Sequence, residues 1–478
     1  MDLYFQIKSN NEVEMKKISK FTLFYFVLVT VLGFFYSAFL LPWQTPDELT
    51  HLRMISDDFN NPKIVETFSS EMKLYDGGYM LQKDQTISKD VIEKLEETKS
   101  DYKLTDMLPR GFSIYQIRHL PSAFGILLGI LLHLPIYWIM RLGECFAVLF
   151  YAIITSIALE LLPIKKLAYA LMMLTPMCLQ QASSINYDSV LLPMCFLFCA
   201  MVVRYIEEKK DIVGVEYLKL LLILGIIVLV KLPYGLLALL LLAIPLNQYV
   251  IILPKKRVRL KNTWWNYSIL VACVLVAFWG LIEIGKSNIY IQVLKACIKH
   301  PRQTLLLFTN TWNTWRDYLL TSTVGDFGYL DTPIPVWSAV VFLCVMGLIS
   351  FVGINEKKAK SGMANTIWGK IVFIGVSVGL TSFISMSMIN HTYRVWYYGS
   401  EFAEVEVDYN QAIFQIPYIG GVQGRYYIPA IMVLLFVLPE CINIRNKKVK
   451  ILVSSITMIF AVLFSIYCLN IIHHRYFG

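Results

Sequence analysis

Five short stretches carry charged side chains where apolar segments end, and each has the residue types for chemistry. The first is Pro42–Trp43–Gln44–Thr45–Pro46–Asp47–Glu48–Leu49–Thr50–His51, where two adjacent carboxylates follow directly on an apolar run. A carboxylate at the boundary of water and lipid is partly desolvated and can take a proton from an incoming hydroxyl, the work of a general base. The same letters also read as a helix start, with Thr45 or Asp47 as cap and Pro46 in the first turn. Asp188 closes Ser183–Ser184–Ile185–Asn186–Tyr187–Asp188 between two apolar runs, where it serves as a helix cap or as a functional carboxylate at the membrane edge. Lys231, in Lys231–Leu232–Pro233–Tyr234, is a lone cation; it reads as a snorkelling lysine or as a phosphate ligand at headgroup depth. Trp312, Trp315 and Tyr318 precede Gly325–Asp326–Phe327–Gly328–Tyr329–Leu330–Asp331. Such rings form interfacial belts, and beside carboxylates they also suit sugar faces and hydroxyls. In Gly421–Val422–Gln423–Gly424–Arg425–Tyr426–Tyr427, Arg425 opens a helix against the macrodipole. That placement asks for an anion, either a phosphate gripped bidentately or a protein carboxylate such as Asp326.

The elements that must hold these residues are membrane helices. Of the 478 residues 56% are hydrophobic and only 16% charged, with mean hydropathy +0.56, against roughly 25% charge in soluble domains. Basic clusters at Lys16–Lys17–Lys20, Lys165–Lys166, Lys209–Lys210, Lys255–Lys261, Lys357–Lys360 and Arg445–Lys450 mark cytoplasmic loops. Spans of about 20 residues then fall near 20–41, 139–162, 167–184, 189–206, 213–230, 233–253, 265–284, 335–354, 367–389, 427–443 and 451–472. The predicted fold is an all-α polytopic membrane protein of about 11 helices. Its N-terminus is cytoplasmic, its C-terminus outside, and the first run, Phe21–Leu41, is a retained helix rather than a signal peptide. The apolar stretch 120–134, too short to span, is expected to lie on the outer surface as an amphipathic helix. Three extracytoplasmic loops result, 42–138, 286–334 and 390–426, in two modules, 1–262 and 263–478. Asp47, Glu48, Asp188, Lys231, Asp326 and Arg425 all fall on the outer face, although none of them was used to orient the chain.

The net charge of +9 sits in loops beside apolar runs, where it meets headgroups, so nucleic acid is excluded as a partner. Eight of the nine cysteines lie in apolar runs and the ninth, Cys297, in a loop, which gives no disulfide framework. There is no Walker loop, dinucleotide fingerprint or zinc spacing; no metal and no cofactor is expected.

Pro46–Asp47–Glu48 with His51, Pro176–Met177 leading to Asp188, Lys231, Gly325–Asp331 before Pro335, and Gln423–Gly424–Arg425–Tyr426 occur in that order across most of the chain. This ordered set resembles the bacterial membrane family known as domain of unknown function 2142, itself similar to the GT-C superfamily of lipid-linked-sugar glycosyltransferases. The resemblance implies a GT-C-like fold in the bacterial plasma membrane with an extracytoplasmic active site and a catalytic carboxylate, Asp47 or Glu48, in the first loop. His119–Leu120–Pro121 and Arg141–Leu142 look like further parts of that pattern; Thr45 stands where the family often has a second proline. The implied activity is inverting transfer of a sugar from a polyprenyl-phosphate donor to a cell-surface polysaccharide or teichoic-acid-type acceptor. In that reaction Asp47 is the base, with Glu48 its partner or substitute. Lys231, Arg425 and Arg141 bind the donor phosphate, and His51, Tyr187, Asp188, Asp326 and Tyr426 bind substrate. The competing expectations are a transporter or flippase of lipid-linked sugars and a non-catalytic scaffold of wall-polymer assembly. Clustering of charge at one face, rather than at mid-membrane, weighs against transport.

Overall fold

The structure is a computed structural model that describes residues 4–9, 12–71, 85–97, 102–253, 256–261, 263, 266, 268–269, 288–354, 367–399 and 407–478. It is mostly helical. Among the described residues five helices are long and apolar enough to cross a bilayer: Lys20–Phe39, Ile136–Leu161, Asp188–Glu208, Ile367–Tyr398 and Lys447–Tyr476. Polar bonds at both ends fix how the first two pack. At one end the Ser19 N–H and the Thr22 hydroxyl donate to Glu160 at 3.2 and 2.6 Å. At the other, the Ser37 hydroxyl donates to Glu144 at 2.6 Å and Arg141 Nη1 to the Leu40 carbonyl at 2.7 Å. The pair is therefore antiparallel. Asp188–Glu208, buried along almost its whole length, is the centre against which both halves of the chain pack. One core holds Tyr25 and Tyr151 together with Phe342 and Met432.

The helix ends carry opposite chemistry. Lys209 follows the far end of Asp188–Glu208, and Lys165 precedes Lys166–Met173, buried with its ammonium on the Ser350 carbonyl and its N–H donating to Glu440 at 2.5 Å. Asp47, Asp188 and Lys231 belong to the opposite ends.

Several expected spans are shorter or broken. The run 167–184 forms two helices, Lys166–Met173 and Pro176–Ala182, because Pro176 lacks an N–H and pushes Thr175 out of helical geometry (ψ 132°). After the 17-residue Gly214–Val230 helix, Pro233 opens a 3₁₀ stretch, Leu232–Ala243, that stops before Pro245 and yields to strand Val250–Leu253 paired with Lys256–Arg259. Val336–Ile349 has 14 residues, and 427–443 reduces to a 3₁₀ turn, Gly424–Tyr427, followed by Ile428–Leu435. Ile367–Tyr398 instead runs past its expected end at 389. Most of the expected span 265–284 lies outside the described residues. The N-terminal strands Tyr4–Ser9 and Glu12–Lys17 form a hairpin that the apolar pattern does not announce.

Leu120–Leu131 is a helix but has no polar face, since Leu120, Phe124 and Leu131 are its exposed side chains. The expected amphipathic surface helix is thus an apolar one. It packs on Ile136–Leu161 through Gly125 and Gly129, where a Cβ would meet the Leu142 carbonyl and the Ile139 backbone; small residues of this kind allow close helix approach in membranes.

A second close approach seats the site. Gly424 lies against Pro301–Val324 so tightly that a Cβ would collide with the Leu319 carbonyl and with Thr323, and its N–H donates to the Ser322 hydroxyl at 2.8 Å. Gly424→Ala is expected to cost about 1–3 kcal/mol by overpacking and to shift the adjacent Arg425. A lowered thermal midpoint of the purified protein is the readout, and an unchanged midpoint refutes the tight seat.

Candidate functional site

The chain leaves its first helix through a turn held by Arg141. Nη1 donates to the Ser37 and Leu40 carbonyls and to Glu144 at 2.9 Å, and Nη2 donates to the Tyr137 hydroxyl at 2.9 Å. This guanidinium is engaged by protein acceptors on both terminal nitrogens, so the expectation of a phosphate ligand at Arg141 gives way to a structural clip. The i,i+3 spacing of Arg141 and Glu144 on one helix was the signal for it.

Beyond the turn the two acidic neighbours diverge. Asp47 is the N-cap of Glu48–Asp58 in left-handed geometry, φ 68° and ψ 5°, with no cap bond from its side chain. Its carboxylate is exposed. Glu48 is 2% exposed; Oε1 accepts the Ile185 N–H at 3.2 Å, and Oε2 closes no hydrogen bond among the described residues. Burial, and then the negative field of Glu144, push its carboxyl up to about 8. The folded chain therefore holds a proton that the unfolded chain releases near 4.5. Stability should fall as pH rises through that window and level off above it. Glu48→Gln is expected to flatten this fall, as measured by thermal midpoints between about pH 5 and pH 9; a fall of equal depth in the variant removes Glu48 as its source.

One turn on, His51 Nδ1 lies 2.9 Å from His119 Nε2, and both rings are buried. The His51 ring meets Tyr187 edge-on at 4.5 Å. Burial, then the neighbouring imidazole and the cations Arg425 and Lys231, hold His51 well below its usual range; burial and Arg118 hold His119 down at about 3. The pair is neutral and shares one hydrogen between facing nitrogens. Only the resemblance had pointed to His119. Its sequence position, just ahead of an apolar helix, says nothing of a partner 68 residues away.

Tyr187 and Asp188 begin the central helix. Lys231, at the end of Gly214–Val230, places Nζ 5.2 Å from the Tyr187 ring centre, 5.8 Å from Tyr234 and 4.1 Å from Tyr426. Arg425 Cζ is 5.4 Å from that same Tyr426 ring. The two charges are thus no farther apart than these last two distances laid end to end. Arg425 is buried, with Nε donating to Gln423 Oε1 at 2.6 Å and Nη1 to Gln181 Oε1 at 2.8 Å. Asp188 and Asp47 are the carboxylates whose fields reach it, yet neither cation has a carboxylate within ion-pair distance among the described residues. Asp326, the partner that sequence had offered, is buried in a two-residue strand paired with Thr332–Pro333. It acts on Tyr318, whose hydroxyl also feels Arg425 and Tyr426, and stands at the margin of the group.

The structure thus brings Asp47, Glu48, His51, Tyr187, Asp188, Lys231, Arg425 and Tyr426 to one end of the bundle. Gln181 is an addition that sequence reading missed, and Gln423 and Tyr234, quoted within their stretches, had been given no role. Gln180–Gln181, two amides inside an apolar run, was the available signal, because a buried amide in a membrane segment needs a partner. No group of three metal-ligating side chains occurs among the described residues.

Residues 31–435 match the model of a family described as predicted membrane protein (DUF2142). No curated protein and no solved structure matches the chain.

Proposed function

The chain belongs to the DUF2142 family of predicted membrane proteins, and we propose that it is an inverting glycosyltransferase of GT-C type in the bacterial plasma membrane. Its donor is a sugar on polyprenyl phosphate, and its acceptor is a hydroxyl of a cell-surface glycopolymer on the extracytoplasmic face. One observation carries the reading. Lys231 and Arg425, 194 positions apart in the chain, converge on a single tyrosine ring, and among the described residues neither has a carboxylate within ion-pair distance. Two converging cations without a direct ion pair suit an anion, and at a helix end near headgroup depth the anion at hand is a lipid phosphate.

The reaction follows from the residues around that phosphate. The acceptor oxygen attacks the anomeric carbon while its proton passes to the Asp47 carboxylate. The bond from anomeric carbon to phosphate oxygen breaks, and polyprenyl phosphate leaves with the electron pair, its charge met by Arg425 and Lys231. A phosphate monoester leaves without protonation, so one base suffices, unlike the two carboxylates of glycoside hydrolysis. Asp188, whose field reaches both cations, orients donor or acceptor hydroxyls, and His51 and Tyr187 line the approach to the base.

Purified protein in detergent, with no second compartment, is expected to convert a polyprenyl-phosphate sugar into a glycosylated acceptor and free polyprenyl phosphate. Movement of the lipid across vesicles without conversion would make the chain a flippase, and neither activity would make it a scaffold.

A further inference from the structure

We infer that Gln181 and Gln423 form a neutral clamp that aims the Arg425 guanidinium while leaving its charge for the bound anion to compensate. The inference deepens the phosphate site proposed above and rests on it. Gln181 lies on Pro176–Ala182, Gln423 just ahead of the 3₁₀ turn, and their Oε1 atoms accept from two different nitrogens of the same guanidinium, Nη1 at 2.8 Å and Nε at 2.6 Å.

The orientation of Gln181 is settled by its neighbours. Asn186 Oδ1 accepts the Ser189 backbone N–H at 3.0 Å, which turns the Asn186 amide nitrogen toward Gln181 at 3.1 Å. Gln181 faces two donors, that nitrogen and Arg425, and only its oxygen satisfies both. The Gln181 amide is itself wholly buried, so the chain from the start of Asp188–Glu208 through Asn186 and Gln181 to Arg425 has no solvent to relax into.

What the clamp lacks matters as much. A buried arginine ordinarily meets a carboxylate, because an unpaired buried charge is costly. Arg141, in the same protein, meets Glu144 at 2.9 Å. At Arg425 two acceptors are amides of the same shape as glutamate, and they supply geometry without countercharge. A glutamate at either position would satisfy the guanidinium internally, and an incoming phosphate would then have to compete with a protein carboxylate. Gln181 and Gln423 are on this account positioning residues that act through Arg425.

The test uses the full chain in detergent and polyprenyl phosphate without a sugar as the probe, with binding read from the change in tryptophan fluorescence. Gln181→Glu, nearly isosteric, is expected to weaken binding about tenfold or more. Gln181→Met, which loses the hydrogen bonds but adds no charge, should weaken it less. A merely structural role predicts the reverse order, because the glutamate keeps the shape and polarity that methionine removes. Gln423→Glu, at a half-buried position, repeats the charge arm independently should Gln181→Glu fail to fold. Gln181→Glu and Gln423→Glu binding as tightly as the unaltered protein, or Gln181→Met binding more weakly than Gln181→Glu, overturns the clamp. Arg425→Gln separates the two levels. If the unaltered protein binds no better than Arg425→Gln, the phosphate site falls and the clamp with it. If only Arg425→Gln loses binding and the glutamate variants do not, the clamp alone falls.

Discussion

Asp47→Asn is expected to lower sugar transfer by about 10²–10⁴-fold, the usual contribution of a positioned general base, while expression and thermal midpoint stay near those of the unaltered protein. The local geometry separates the two effects. Asp47 caps the Glu48–Asp58 helix with its backbone only; the carbonyl accepts the His51 N–H at 2.8 Å, and the side chain makes no cap bond. Asparagine tolerates the left-handed φ of 68° as readily as aspartate does, so the exchange removes basicity and leaves the turn. Glu48, one residue on, is the control. Burial holds its carboxyl well above the usual carboxylate range, which favours the protonated form and makes it a poor base. Transfer rates of Asp47→Asn and Glu48→Gln at matched expression decide between them. Asp47→Asn keeping more than about a tenth of the rate while Glu48→Gln loses it would move the base to Glu48; both keeping it would end the enzymatic reading of this motif.

Those two carboxylates also mark the limit of what sequence conveys here. Composition and basic clusters are enough to read a polytopic membrane protein and to group the charged helix ends, because hydropathy and charge are one-dimensional properties. Whether Asp47 or Glu48 faces solvent depends on a single left-handed residue, and no side-chain pattern announces it when that residue is not glycine. Span lengths went astray for a related reason. Pro176, Pro233 and Pro245 interrupt runs whose apolar content alone reads as continuous, and a proline stops a helix without lowering hydropathy. Arg141 and Arg425 look alike as isolated arginines near helix starts. Apart from Glu144 three residues on from Arg141, their surroundings distinguish them, a carboxylate and two carbonyls around one and two amides around the other.

That difference makes Arg425→Lys the second large expected effect, a loss of about 10²–10³-fold in transfer, the cost of losing one oriented donor where charge develops. The substitution keeps a positive charge and so isolates orientation. A lysine ammonium is a point donor on a flexible stem. It cannot span Gln423 and Gln181 at 2.6 and 2.8 Å and at the same time offer a planar edge to a phosphate. Its charge would be free to move toward Asp188, whose field reaches this position. The defect should appear in donor saturation and in the chemical step, with acceptor saturation little changed, because the displaced group holds the leaving phosphate rather than the attacking hydroxyl. Lys231→Gln should weaken the donor as well, though less steeply, since Lys231 contributes through three aromatic rings rather than a fixed fork. Arg425→Lys with full activity would mean that a point charge suffices, and the bidentate grip would have to be abandoned. A loss confined to acceptor saturation would place Arg425 on the other substrate and reverse the assignment of the two sides of the site.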